Sequence, residues 1–305
     1  MNLPDLFPGF AERTFHLPGV DIFARIGGDE QAPPLVLLHG FPQTHAMWAG
    51  IAGELAKTHR VIVPDLRGYG FSGVVERSPD HAQMSKRAMA GDIVALMREL
   101  GYERFAVAGH DRGGRVAYRL ALDSPECVTR LAVLDIVPTS AMWASMTAAF
   151  AMKVYHWQFL AQPYPMPETV ISGAPVGYLE HTLASWTARR DLSAFSADAL
   201  EHYRAAFSQA DRISASCEDY RAGWYVDRLL DEADQANGVR IQCPTLVLWG
   251  NAGLPADSVD AESTPLSVWK SWATNVSGQP IAAGHFIVEE NSAETLAALK
   301  VFFAD

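Results

Sequence analysis

Apolar residues in the first half of the chain come in short unbroken runs, separated by longer stretches with helical spacing. Pro34 to Leu38 is one run and ends at His39-Gly40-Phe41-Pro42, and Val61 to Val63 is a second and ends at Asp65. Phe105 to Ala108 and Leu131 to Leu134 are two more. Between them, Lys86 to Leu100 places Met89, Ile93, Leu96, Met97 and Leu100 on one helical face, and Gly114 to Leu122 reads as a further helix. Strands that are apolar on both faces and alternate with helices predict an α/β fold, a parallel sheet covered on both sides. The rhythm stops after Pro138. From 140 to 235 no strand is evident, and Ala and bulky aromatics accumulate, among them Trp143, Tyr155, Trp157, Trp186, Tyr203 and Trp224. The α/β pattern returns at Thr245 to Gly250, then gives a strand near Pro280 to Ala282 and a last helix from Ala293 to Phe303. The predicted division is a core of 1–139 and 236–305, with a helical cap at 140–235.

Composition narrows the partners. The chain has 305 residues, 49% hydrophobic and 19% charged, which suits a packed globular protein and excludes disorder. A net charge of −11 repels phosphate backbones, so nucleic acid is not an expected partner. Three cysteines, Cys127, Cys217 and Cys243, form no CxxC pair and no disulfide framework. No metal and no organic cofactor is expected. The amino-terminal residues lack the basic and apolar regions of a signal peptide, and the most apolar stretch, Leu131 to Trp157, is broken by Asp135, Pro138 and Lys153. The expectation is a cytoplasmic protein with no membrane segment.

The segment Ala106-Val107-Ala108-Gly109-His110-Asp111-Arg112-Gly113-Gly114 reads as strand, G-x-D-x-G turn, then helix. That is the form of the nucleophile elbow of α/β-hydrolases, with aspartate where many carry serine. Other parts follow in order. His39-Gly40-Phe41-Pro42 sits where the fold keeps its oxyanion loop, so the backbone N–H groups of Phe41 and Arg112 are the expected oxyanion donors. His39 itself and the Asp65 to Ser72 loop read as structural. His285, in Gly284-His285-Phe286 before the last helix, is the expected base. Asp135, ending the strand 131–134, is the expected acid, because Asn251-Ala252-Gly253 supplies no carboxylate after the next strand; Asp257 and Asp260 are the alternatives farther along that loop.

An aspartate nucleophile attacks saturated carbon, displaces a leaving group and becomes an alkyl ester, which water activated by His285 then hydrolyses while Asp135 orients the imidazole. Halide displacement and epoxide opening both fit that chemistry. Arg112 and Arg115, three residues apart at the helix start, favour an anionic substrate, since guanidinium forks match a carboxylate. A neutral epoxide gives them no role. A non-catalytic ligand-binding relative is disfavoured by the complete Asp-His-Asp set.

The sequence resembles the fluoroacetate dehalogenases, haloacetate dehalogenases of the α/β-hydrolase superfamily. The likeness runs through H-G-F-P-Q-T-H from His39, G-H-D-R-G from Gly109, Y-R-L-A-L-D-S-P from Tyr118, K-V-Y-H-W from Lys153, L-A-S-W-T from Leu183, C-E-D-Y-R-A-G from Cys217 and G-H-F from Gly284. It implies an α/β-hydrolase fold and hydrolysis of small anionic haloacids, fluoroacetate above all. It implies a halide pocket of His156, Trp157 and Tyr220, with Trp186 near the substrate and its access path. It also implies a homodimer formed through the cap.

Overall fold

The computed structural model describes residues 3–253 and 264–304. Eight strands form one sheet: β1 (Ala11–Leu17), β2 (Val20–Gly27), β3 (Pro34–Leu38), β4 (Arg60–Pro64), β5 (Phe105–His110), β6 (Val128–Leu134), β7 (Thr245–Gly250) and β8 (Val276–Ile281). Their order is β1-β2-β4-β3-β5-β6-β7-β8, antiparallel from β1 to β4 and parallel from there on. The central strands β5 and β7 are buried throughout, as expected where helices cover both faces. The edges differ. β8 is largely exposed and tolerates Pro280 because an outermost strand lacks a neighbour on one side. β1 exposes all but Phe15 and Leu17, so the hairpin of residues 11–27 has no continuous apolar run to announce it.

Helix α1 (Ala49–Leu55) follows β3, α2 (Lys86–Glu99) follows β4, and α3 (Asp111–Asp123) follows β5 without any linker. Ser85 caps α2 by accepting the N–H of Ala88. α3 starts three residues earlier than the apolar pattern predicts, because it grows directly out of the elbow and is buried along nearly its whole length.

Between β6 and β7 the chain is helical: α4 (Thr139–Ala144), α5 (Ala148–Lys153), α6 (His156–Leu160), α7 (Met166–Ser172), α8 (Pro175–Trp186), α9 (Ala197–Phe207), α10 (Ala210–Ala222) and α11 (Arg228–Ala236). A π-helical turn, Gly223–Asp227, joins α10 to α11. Two of these helices reach the carboxyl ends of the strands, the end of a parallel sheet where ligands bind in such folds: the Trp186 carbonyl of α8 accepts the His285 N–H at 2.9 Å, and Asp219 of α10 accepts Arg112 Nε, just after β5, at 3.0 Å. Among the described residues no helix is long and apolar enough to cross a membrane.

Candidate active site

Asp111 is the first residue of α3 and sits at φ +45°, in the left-handed region that side chains rarely adopt. The turn is tight enough that a Cβ on Gly113 would lie 2.3 Å from the His39 carbonyl oxygen, so only glycine lets α3 leave β5 there. The carboxylate is thereby aimed above the sheet. Its Oδ1 accepts the Phe41 N–H at 2.9 Å, and its Oδ2 lies 3.9 Å from His285 Nε2. One oxygen is held and the other is left free.

His285 occupies the loop after β8, where its backbone N–H donates to the Trp186 carbonyl at 2.9 Å. Its Nδ1 is 2.5 Å from Asp135 Oδ2, and the other Asp135 oxygen accepts the Gly250 N–H at 2.7 Å. A carboxylate on Nδ1 assigns the proton to that nitrogen and leaves the lone pair on Nε2, which is buried without a partner. Burial favours the neutral imidazole, but Asp135's hydrogen bond and charge, with Asp111 behind, outweigh it and raise the pKa of His285 above its ordinary value. Burial likewise acts to raise Asp111, and the charges of His285 and Arg112 reverse that, so the carboxyl is held below its usual range. Asp135 lies in the position the sequence assigns to the acid; Asp257 and Asp260 fall outside the described residues.

The two arginines are buried, not splayed on a helix start. Arg112 gives Nε to Asp219 Oδ2 at 3.0 Å and Nη2 to Asp219 Oδ1 at 2.6 Å, and its Nη1 has no partner. Its fork is thus occupied by a protein carboxylate, which leaves a single nitrogen, rather than a pair, for a ligand. Arg115 donates Nη1 to the Val137 carbonyl at 2.9 Å and the Thr139 hydroxyl at 3.2 Å, and its Nε is unpartnered. Both acceptors are neutral. Burial and the like charge of Arg112 pull its pKa down, a cost that an anion bound beside it would offset.

His156, Trp157, Trp186 and Tyr220 are all buried above these groups. The Trp186 ring is 4.3 Å from that of His156 and 5.3 Å from that of His285; the Tyr220 ring is 5.7 Å from His156 and 6.0 Å from Trp157. Arg112 lies 4.3 Å from the Tyr220 ring centre and Arg115 4.5 Å from that of Trp157. Burial pushes His156 down to about 3, so its ring is neutral, and Nδ1 has no partner. Burial raises the Tyr220 phenol well above its ordinary value, so it keeps its proton. The structure therefore gathers His156, Trp157, Trp186 and Tyr220 around Asp111, Arg112, Arg115 and His285, while Tyr155 and Trp224 of the same helical segment stay exposed.

His39 and Asp65 hold loops instead. His39 Nε2 accepts the Leu66 N–H at 3.0 Å, while Asp65 accepts N–H groups of His45 and Phe71 at 2.7 and 2.8 Å. Several supporting residues escaped the sequence reading. Asp219 on α10 and Lys86 on α2 are more than a hundred residues apart, and no short motif joins them. Glu290 accepts the N–H groups of Ala188, Gly284 and Phe286 at 2.8, 2.9 and 3.0 Å, tying the base loop to the insertion. His110 Nε2 bonds the His285 carbonyl at 2.9 Å. Its place inside the elbow motif was the one signal available.

A model of the alpha/beta hydrolase fold family matches residues 33–292, and the chain belongs to that family. It is an enzyme homologous over nearly its full length to a fluoroacetate dehalogenase from a Burkholderia species, at 42% identity over 300 residues, 98% of this chain and 96% of the relative. A soluble epoxide hydrolase from Corynebacterium sp. (strain C12) is 30% identical over 274 residues, 89% of this chain and 90% of the relative. Among solved structures, ALR0039 of Nostoc sp PCC 7120 superposes with a TM-score of 0.91 at 45% identity, over 96% of this chain and 97% of that one.

Proposed function

We propose that the protein hydrolyses 2-haloacids, fluoroacetate foremost, to the hydroxyacid and halide ion. The observation that carries this reading is an aspartate on the elbow backed by two buried arginines whose Arg112 Nη1 and Arg115 Nε have no partner. Asp111 Oδ2 attacks the halogen-bearing carbon and halide leaves with the bonding electrons, while the arginines hold the substrate carboxylate. His285 Nε2 then takes a proton from water, whose oxygen adds to Cγ of the ester. Negative charge gathers on Oδ1, already bonded to Phe41 N–H, with the Arg112 N–H as second donor. As this intermediate collapses, His285 returns the proton to the departing alkoxide, releasing glycolate from fluoroacetate, and Asp111 regains its carboxylate by losing the remaining proton to solvent. His156, Trp157 and Tyr220 take up the departing halide, and Trp186 walls the path to it.

Residues 140–235 act in this scheme as a cap over a core of 1–139 and 236–305. Exposed apolar side chains on the cap, Met152, Tyr155, Val170 and Leu229 among them, support the homodimer that the fluoroacetate dehalogenase likeness implies. Three free cysteines suit a cytoplasmic site. A relative described as an epoxide hydrolase supports a second reading, yet a neutral epoxide leaves both arginines without an anion.

A fluoride electrode on fluoroacetate, beside halide release from chloroacetate and chloroacetamide and diol formation from a neutral epoxide, tests the proposal. Activity on the two acids and little on the amide is the expected pattern. Turnover of the epoxide with no halide release from either acid would overturn it.

The base carries its own prediction. Esterification erases the charge of Asp111, one of the influences that raise His285, so the imidazole loses its proton more readily once an ester awaits hydrolysis. A protonated His285 cannot act as base, so ester breakdown fails as pH falls. The acid limb of single-turnover ester breakdown should lie below the pKa that NMR gives for His285 in the free enzyme. A limb above that value would separate the two groups electrostatically.

A further inference from the structure

Asp219 joins the helical insertion to the core at the point where the proposed substrate carboxylate binds. Besides the two side-chain bonds to Arg112, its backbone carbonyl accepts Arg112 Nη2 at 2.8 Å, so three acceptors of one residue fix the guanidinium. Asp219 is itself held by Lys86 Nζ and by the Tyr69 hydroxyl, the latter at 2.7 Å. All four groups are buried. Gly223, in the π-helical turn, lies against the guanidinium, where a Cβ would come within 3.3 Å of Arg112 Nη2. From the same turn Asp227 accepts the Lys86 N–H at 2.8 Å.

We propose that Asp219 is a positioning residue for substrate recognition: by occupying the Nε–Nη2 edge of Arg112 it turns Nη1 alone toward the haloacid carboxylate, so that binding of the acid depends on how the insertion is seated. The inference rests on the haloacid reading above. It explains why Arg112, rather than lysine, suits the position. A lysine could pair with Asp219 or with the substrate, whereas a guanidinium has separate edges for both. Burial alone would raise the Asp219 carboxyl, but Arg112 and Lys86 hold it well below the usual range, so it stays a carboxylate at any working pH. Arg115, with neutral acceptors only, supplies the second nitrogen to the ligand.

The test separates orientation from charge and from folding. The pair Lys86→Met with Asp219→Asn removes one charge of each sign and leaves the Nε–Nη2 edge of Arg112 with one side-chain acceptor in place of two, beside the backbone carbonyl of residue 219. Tyr69→Phe deletes only the hydroxyl that steadies Asp219. KM and kcat on chloroacetate and Tm are measured for each. The paired variant should raise KM at least tenfold with kcat changed less than threefold, and Tyr69→Phe should raise KM about threefold with the same kcat. Folded variants that both keep the native KM, or lose kcat and KM in step with Tm, overturn the proposal. If the pair does not fold, the KM of Tyr69→Phe decides alone, a native value overturning the idea. Absence of halide release from the unmodified enzyme would instead refute the haloacid reading, so the two failures are distinct.

Discussion

Replacing His285 with Asn should stop the enzyme after its first displacement. The Asp135 contact and the Gly284–Phe286 backbone bonds to Glu290 can survive, but the lone pair at Nε2, 3.9 Å from Asp111 Oδ2, is gone. Nothing in the first step uses that lone pair, because the nucleophile is a carboxylate, and Arg112 and Arg115 still favour its ionised form when the charge of His285 is gone. Halide should therefore appear as a burst of one equivalent per site, and mass spectrometry should find the carboxymethyl ester on the peptide bearing Asp111. Steady turnover should fall by roughly 10²–10⁴-fold, the usual contribution of a positioned base. In the native enzyme a single turnover in ¹⁸O-water should place label in Asp111 and none in the first glycolate, since water attacks Cγ and the product oxygen comes from Oδ2. Label in that first glycolate, or a His285 variant with no burst, would mean water attacks the substrate directly.

An aspartate nucleophile was legible in the sequence for a physical reason. A buried parallel strand, a turn that sterically demands Gly113, and a helix leave few other folds, and Asp111 at the bend can only face the open end of the sheet. Asp135 is a candidate acid because it ends a strand and the loop after the next strand, Asn251-Ala252-Gly253, offers no carboxylate, and His285 is a candidate base because it stands just before the last helix. The edges of the sheet were less legible: β1 hides two side chains, and β8 carries a proline and polar residues, so neither has the apolar signature of the strands between them. The helical insertion was legible only as composition. His156, Trp157 and Tyr220 were named through family likeness, not from periodicity, since aromatics at helical spacing serve a packed core equally well. Asp219 stands inside the C-E-D-Y-R-A-G motif, but nothing in the sequence assigns it a role. Its meaning lies in contacts with Arg112, Lys86 and Tyr69, three partners brought to it by tertiary folding alone.

Trp157→Phe should cost far more with fluoroacetate than with chloroacetate. Fluoride is small, strongly hydrated and a poor leaving group, so its departure relies on donors already aimed at the place where charge develops. Chloride is larger and leaves more readily. In a dry site one such donor is worth about 2.7–4 kcal/mol, or roughly 10²–10³ in rate. The substitution removes the indole N–H but leaves an aromatic ring for Arg115, whose guanidinium carbon lies 4.5 Å from the native ring centre, and for Tyr220, 6.0 Å away. Loss of packing would slow both substrates in the same proportion, so the quantity to follow is the ratio of kcat/KM for fluoroacetate to that for chloroacetate. Tyr220→Phe should lower that ratio too, because burial keeps the phenol protonated and able to donate. His156 is held neutral by burial and has one ring N–H to offer, so His156→Phe belongs to the same series. A ratio at its native value in all three variants would return these side chains to the packing of the insertion and move the halide elsewhere.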